Sequence, residues 1–206
     1  MIWRLLPLIG ILCLFGIAAC WRPWLQARRY GSPGIVLFRS GRRSQNLRDG
    51  LGILLFVLLV GQAIMAAGWP ESLSSLGAIY QLGPGPMQVI GAVLLFGGTA
   101  LVVIAQLRLG ASWRIGIDEG ASPGLVTDGF YRISRNPIFV AMLITLIGYT
   151  LLLPTLLSLA LLLGAFVGIW QQVLEEEAYL LRTYGDAYRE YARRVGRWLP
   201  VIGRLR

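Results

Sequence analysis

The side chains able to do chemistry in this chain fall into two clusters. The first runs through Leu125-Val126-Thr127-Asp128-Gly129-Phe130-Tyr131-Arg132 to Arg135-Asn136-Pro137, with Ser112-Trp113-Arg114 and Asp118-Glu119 upstream. Proline suits the first position of a helix, where its missing N–H would be unpaired anyway. Arg135 and Asn136 are therefore expected at a helix N-terminus, beside N–H groups suited to an anion. An arginine reaching for the surface next to a capping asparagine would account for the same residues. The second cluster is Glu175-Glu176-Glu177 and the stretch behind it, where Glu177, Leu181, Tyr184, Tyr188, Tyr191, Val195 and Trp198 recur at steps of three and four. Arg182, Arg189 and Arg193 fall opposite. An amphipathic helix on anionic lipid, continuing to near Arg194, accounts for the tyrosines and arginines. It does not account for three adjacent carboxylates, which such a surface repels.

Together the clusters offer carboxylates for an ammonium and ribose hydroxyls, arginines to clamp a carboxylate, and aromatic rings for a base or a sulfonium. S-adenosylmethionine carries all of those groups; a nicotinamide dinucleotide would also draw on arginines and aromatics. The chain has no histidine, which removes the usual acid–base group near neutral pH and the commonest metal ligand. Its two cysteines, Cys13 and Cys20, lie in an apolar run, so no metal site is expected. They read as small packing residues. Candidate bases reduce to Glu176, Glu177, Asp118, Asp128 and the tyrosines.

The elements that must position these groups are membrane spans. Of 206 residues, 56% are hydrophobic and only 14% charged, well under the roughly 25% charge of soluble domains. A spanning helix needs about 20 apolar residues. Five segments qualify, at residues 2–20, 51–68, 87–107, 138–153 and 155–174, the last two a tight hairpin around Pro154. The expected fold is all-α, a single integral membrane domain of five transmembrane helices with a C-terminal amphipathic helix, its catalytic half spanning 108–206. Gly91, Gly97 and Gly98 read as positions of close helix approach. The net charge of +9 comes entirely from arginines. They flank the spans, so they indicate orientation rather than nucleic acid. Residues 21–50 hold seven, 69–86 none, 108–137 four, and the tail beyond Leu174 seven. That pattern places the N-terminus outside and the C-terminus in the cytoplasm, in what reads as a bacterial inner membrane.

Gly129-Phe130-Tyr131-Arg132-x-x-Arg135-Asn136-Pro137-x-Phe139 resembles the G-x-[YF]-R-x-x-R-[HN]-P-x-[YF] stretch of the isoprenylcysteine carboxyl methyltransferase and phospholipid methyltransferase group. Glu176-Glu177-x-x-Leu180-x-x-x-Tyr184-Gly185-x-x-Tyr188-x-x-Tyr191 resembles that group's tail, and Arg197-Trp198-Leu199-Pro200 its R-x-x-P ending. The resemblance covers about Leu125 to Pro200. It implies an integral membrane methyltransferase with S-adenosylmethionine held between the last spans and the C-terminal helix. Carried over, it makes Arg135, Asn136 and Glu176 catalytic. Tyr131, Pro137, Phe139, Glu177, Tyr188, Tyr191 and Arg197 join them in binding the cofactor. Many members carry histidine before the proline; Asn136 still donates and accepts hydrogen bonds but cannot act as a base.

Methyl transfer from a sulfonium is chiefly a matter of positioning. A carboxylate or thiolate acceptor needs no base, whereas a neutral amine or hydroxyl does. The expected acceptor is a lipophilic or small molecule bearing a carboxylate, thiol or lipid headgroup, entering from the bilayer. Two other classes compete. A membrane reductase of the sterol-reductase type would use a nicotinamide dinucleotide, but would want more basic residues for its phosphates. A scaffold or transport component is the other, against which the spans hold almost no ionisable residue.

Overall fold

The computed structural model describes residues 2–38, 43–78, 85–116 and 124–205, and it is built from helices. Asp118 and Glu119 lie outside the described residues. Helix α1 (Ile2–Phe15) runs through a six-residue π-helical turn, Gly16–Trp21, into α2 (Arg22–Tyr30), giving one rod that is apolar up to the turn and arginine-rich beyond it. A π turn rephases the face of the helix that follows it. Here it is followed by Arg22, which is fully buried. Cys13 and Cys20 are both exposed, so they do not pack in the interior as expected.

Helices α3 (Arg43–Gly68), α4 (Pro86–Leu109) and α6 (Leu156–Arg194) are also long and apolar enough to cross a bilayer. Helix α5 (Pro137–Leu152) has 16 residues, about 24 Å at 1.5 Å per residue, against a hydrocarbon core of about 30 Å. Five spans is thus an approximation: among the described residues four helices are long and apolar enough to cross, and α5 is a shorter apolar one. The hairpin around Pro154 is as tight as expected, because Thr155 caps α6 by accepting from the Ser158 N–H at 3.0 Å. Gln62 of α3 donates to Ser158 at 2.9 Å, and the Tyr149 hydroxyl donates to the Leu59 carbonyl at 2.7 Å. Such bonds satisfy polar groups that lipid cannot.

Helices α4 and α5 meet backbone to backbone. A Cβ on Gly98 would lie 2.5 Å from Thr145 Oγ1, and one on Gly148 would lie 2.3 Å from the Leu95 nitrogen. Gly91 makes a similar approach to Leu152, whereas Gly97 faces open space and takes no part. The core that results joins Ile11, Leu59, Leu95, Val102, Ala141 and Tyr149.

At one end of the bundle the arginine-rich connections gather. Arg22 donates to the carbonyls of Gln106 and Gly110 at 3.4 and 2.9 Å and to Gln26 at 2.6 Å. It therefore offers its charge to the negative end of the α4 dipole. Arg48, at the start of α3, pairs with Glu175 of α6.

Candidate active site

The described residues between α4 and α5, 110–116 and 124–136, carry local structure. It opens with a 3-10 turn (Gly110–Ser112), pairs Ile115 with Ile35, and ends in a second 3-10 turn (Gly129–Arg132). That second turn buries Tyr131 and leads through Ser134 to the N-terminus of α5. Pro137 occupies the first turn, as expected. Asn136 does not cap the helix with its side chain, and Arg135 does not reach for the surface. Both turn inward, to Glu177.

Helix α6 explains how they find it. A straight helix would separate residues 177 and 192 by about 22 Å, yet Arg135 binds the carboxylate of the first and the carbonyl of the second. The chain reverses at Gly185, whose φ of 51° and ψ of −121° break the helix. A side chain is strongly disfavoured in that region. The expected single aromatic face is therefore two faces folded together. Tyr188, Tyr191 and Ala192 pack with Leu125, Leu180, Leu181 and Tyr184, while Arg182, Arg189 and Arg193 are exposed. Trp198 lies past the helix end, which is capped at Val195.

Glu177 is the hub. Its Oε1 accepts from Arg135 Nε at 3.0 Å and from Asn136 Nδ2 at 3.1 Å. Its Oε2 accepts from Arg135 at 2.9 Å and from Arg197 Nε and a terminal nitrogen at 3.0 and 2.9 Å. Burial pushes this carboxyl up, but the hydrogen bonds and charges of Arg135 and Arg197 outweigh it and hold it below the ordinary carboxylate value. The other Arg135 donors go to the carbonyls of Ala192, Val195 and Gly203, at 3.0, 2.8 and 3.1 Å. All five guanidinium N–H groups are thereby used. Asn136 also donates to the Arg197 carbonyl at 3.2 Å, and the Arg135 N–H to that of Gly196 at 2.9 Å. One carboxylate thus ties together the start of α5, both halves of α6 and the C-terminal turn.

Glu176 is differently placed. It is half-buried, and Gln172, one turn earlier, donates to its Oε1 at 2.8 Å. The sequence expectation ends the spanning part of α6 near Leu174, and on that expectation this carboxyl stands just beyond it. Burial pushes it up to about 7; the Gln172 bond opposes this and the charge of Glu177 adds to it. Tyr131 is its neighbour, since burial and then the Glu176 charge raise that phenol. Tyr191 donates to the Tyr131 carbonyl at 2.7 Å. The Tyr188 hydroxyl is buried with no hydrogen-bond partner among the described residues, as is the Trp198 indole nitrogen. Arg197 lies 5.9 Å from the Trp170 ring, on which Trp198 stacks at 5.7 Å. Pro137 and Phe139 are half-buried on the first turn of α5.

Of the residues expected at the site, Arg135, Asn136, Glu177 and Arg197 form one hydrogen-bonded group, and Tyr131, Glu176, Tyr188 and Tyr191 surround it. Asp128 stands apart, paired with Arg108 at 3.5 Å on the surface. Sequence reasoning passed over Gln172, although its spacing of four from Glu176 is the signature of a facing helical pair. It also passed over Ser134, Gly203 and the Arg48–Glu175 pair, for which the sequence carries no local signal.

The phospholipid methyltransferase family model matches residues 86–187, from the start of α4 to just past the break at Gly185. Tyr188, Tyr191 and Arg197 lie beyond the matched stretch. The protein-S-isoprenylcysteine O-methyltransferase of Schizosaccharomyces pombe is 37% identical over 81 residues, 38% of this chain and 34% of that protein. The Xenopus laevis protein of the same name is 30% identical over 122 residues, 56% of this chain and 41% of its own length. The nickel-cobalt-cadmium resistance protein NccN of Alcaligenes xylosoxydans xylosoxydans is 29% identical over 118 residues, 57% and 54% of the two chains. The similarity therefore spans about a third to a half of these curated relatives.

Proposed function

Because the chain belongs to the phospholipid methyltransferase family through residues 86–187, we propose that it is an integral membrane methyltransferase that uses S-adenosylmethionine. The acceptor is a lipophilic or small molecule bearing a carboxylate, thiol or lipid headgroup, and it reaches the site from the bilayer. The carrying observation is the pairing of Glu176, half-buried and bonded to no arginine among the described residues, with a closed frame around Glu177. The arginine bias supports a cytoplasmic position for this end of the bundle, in a bacterial inner membrane. The reductase and scaffold readings gain nothing from the site or the similarities.

The residues fit the cofactor. The unpartnered Tyr188 hydroxyl and Trp198 indole N–H are buried polar groups that a ligand would satisfy. Tyr131, Glu176, Tyr188 and Tyr191 offer an acid for an amine or ribose and rings for a purine, and Pro137 and Phe139 complete the α5 wall. S-adenosylmethionine, when bound, supplies an activated sulfonium methyl group. Arg135, Asn136 and Arg197 act by position in this reading, since their donors hold Glu177 and the backbone that carries the tyrosines. Glu176 holds the proton: with Oε1 fixed by Gln172, its Oε2 takes one from a thiol, hydroxyl or amine acceptor. A carboxyl poised near 7 suits that role. A carboxylate acceptor asks only for alignment.

Equilibrium binding of S-adenosylmethionine to the protein in lipid nanodiscs tests the reading. Saturable binding, displaced by the demethylated product and weakened in Glu176→Gln, is expected. Folded protein that binds none at millimolar cofactor would overturn it.

A further inference from the structure

Beyond Val195 the chain leaves α6 and forms a compact hook. Arg197 N–H donates to the Ile202 carbonyl at 2.8 Å, Ile202 N–H to that of Leu199 at 3.2 Å, and Leu205 N–H to that of Ala192 at 3.0 Å. Gly196 is required here, because a Cβ would fall 1.8 Å from the Leu199 oxygen. The hook is sequestered with the site's frame, through Gly203 to Arg135 and through Arg197 to Glu177.

Its depth follows from Trp198, whose ring stacks 5.7 Å from that of Trp170. Trp170 lies inside the spanning part of α6, about 6 Å before its end near Leu174 at 1.5 Å per residue. It stacks in turn on Phe166, at 6.1 Å. The Trp198 ring therefore lies alongside the last turns of the apolar part of α6. Just after it in the chain, Leu199, Val201 and Ile202 are 52, 69 and 58% exposed among the described residues. Arg193, Arg194 and Arg204 flank them and are exposed. Exposed apolar side chains next to a tryptophan pair beside an apolar helix, with exposed arginines close by in the chain, match the interfacial belt of a bilayer with anionic headgroups.

We propose that the hook at Leu199–Ile202 is a membrane-inserted element, seated among lipid acyl chains beside α6 with its arginines at the headgroups. Its backbone bonds to Arg135 and Arg197 then tie the bilayer surface to the Glu177 frame. This surface stands on the helix geometry and does not depend on the methyl-transfer reading.

The test is site-directed spin labelling in nanodiscs, in a background with Cys13 and Cys20 replaced by alanine. Single cysteines are placed at Leu199 and at Val201. A label at Phe166, 45% exposed on the spanning part of α6, marks the acyl region, and one at exposed Arg189 marks water. The ratio of oxygen to nickel-chelate accessibility is expected to be several-fold higher at positions 199 and 201 than at 189, and to approach that at 166. Two hook labels that follow position 189 would overturn the proposal. The labels read depth directly, so a chain that fails to bind S-adenosylmethionine can still pass this test.

Discussion

Removing the charge of Glu177 while keeping its shape is the sharpest test of the frame. Glu177→Gln leaves two guanidinium groups around a site that no longer carries a negative charge. It also turns one accepting oxygen into an N–H donor facing other donors. The side chain of Arg197 is 21% exposed and can recover water, but that of Arg135 is 1% exposed and cannot. Breaking a buried ion pair by removing one partner costs about 3–5 kcal/mol. Since one of the two cations can rehydrate, the lower figure of about 3 kcal/mol applies. At about 2–4 °C per kcal/mol for a chain of this size, the unfolding midpoint falls by about 6–12 °C. The assay is thermal unfolding in detergent micelles at neutral pH, followed by near-ultraviolet circular dichroism. Glu176→Gln is the control: it is the same chemical change one residue away, at a group bonded to Gln172 and, among the described residues, to no arginine. At neutral pH it is expected to hold or raise the wild-type midpoint, because glutamine avoids ionising a half-buried carboxyl, while weakening cofactor binding. A Glu177→Gln midpoint within about 2 °C of wild type, on the same scale, would refute the frame as an energetic unit.

Other perturbations address the remaining parts. Glu176 has its carboxyl raised from 4.5 to about 7 in the fold. Its stabilising contribution is therefore present below the ordinary carboxylate value and is lost as pH rises through about 7; melts across pH 5–8 should show this decline, and Glu176→Gln should flatten it. Gly148→Ala places a Cβ 2.3 Å from the Leu95 nitrogen and should cost at least about 1–3 kcal/mol. Gly97→Ala meets nothing within 4 Å and should leave the midpoint unchanged or slightly raised. Gly185→Ala has open space around it but an unfavourable φ of 51°, so about 1–3 kcal/mol of backbone strain is expected, read as lowered stability with the tyrosine cluster loosened. Arg135→Ala removes the bonds to Glu177, Ala192, Val195 and Gly203 together, and methyl transfer should be lost; full activity in that variant would exclude Arg135 from the site.

The membrane class, the approximate spans and the gathering of basic connections at one end were legible in the chain, because hydropathy and charge act on each segment separately. So was a grouping of polar residues, since Arg135, Asn136, Glu177 and Arg197 do meet. Their roles were not legible. Motif spacing treats Glu176 and Glu177 as a pair, yet 100° of helix rotation gives one to two arginines and the other to a glutamine. A three-and-four pattern likewise reads straight through Gly185, although that residue reverses the chain and carries Trp198 back to Trp170.

What the sequence determined by itself is therefore what depends on local composition: apolar length, arginine bias, the proline that starts α5, the absence of histidine. Contacts between distant segments were decided only by the tertiary structure. These include Arg48 with Glu175, the α4–α5 approach at Gly98 and Gly148, and the five bonds that commit Arg135. The physical reason is that a buried charge takes its partner from whatever packing brings within about 3 Å. That distance is set by helix rotation and by chain reversal at a single glycine, neither of which any local pattern encodes.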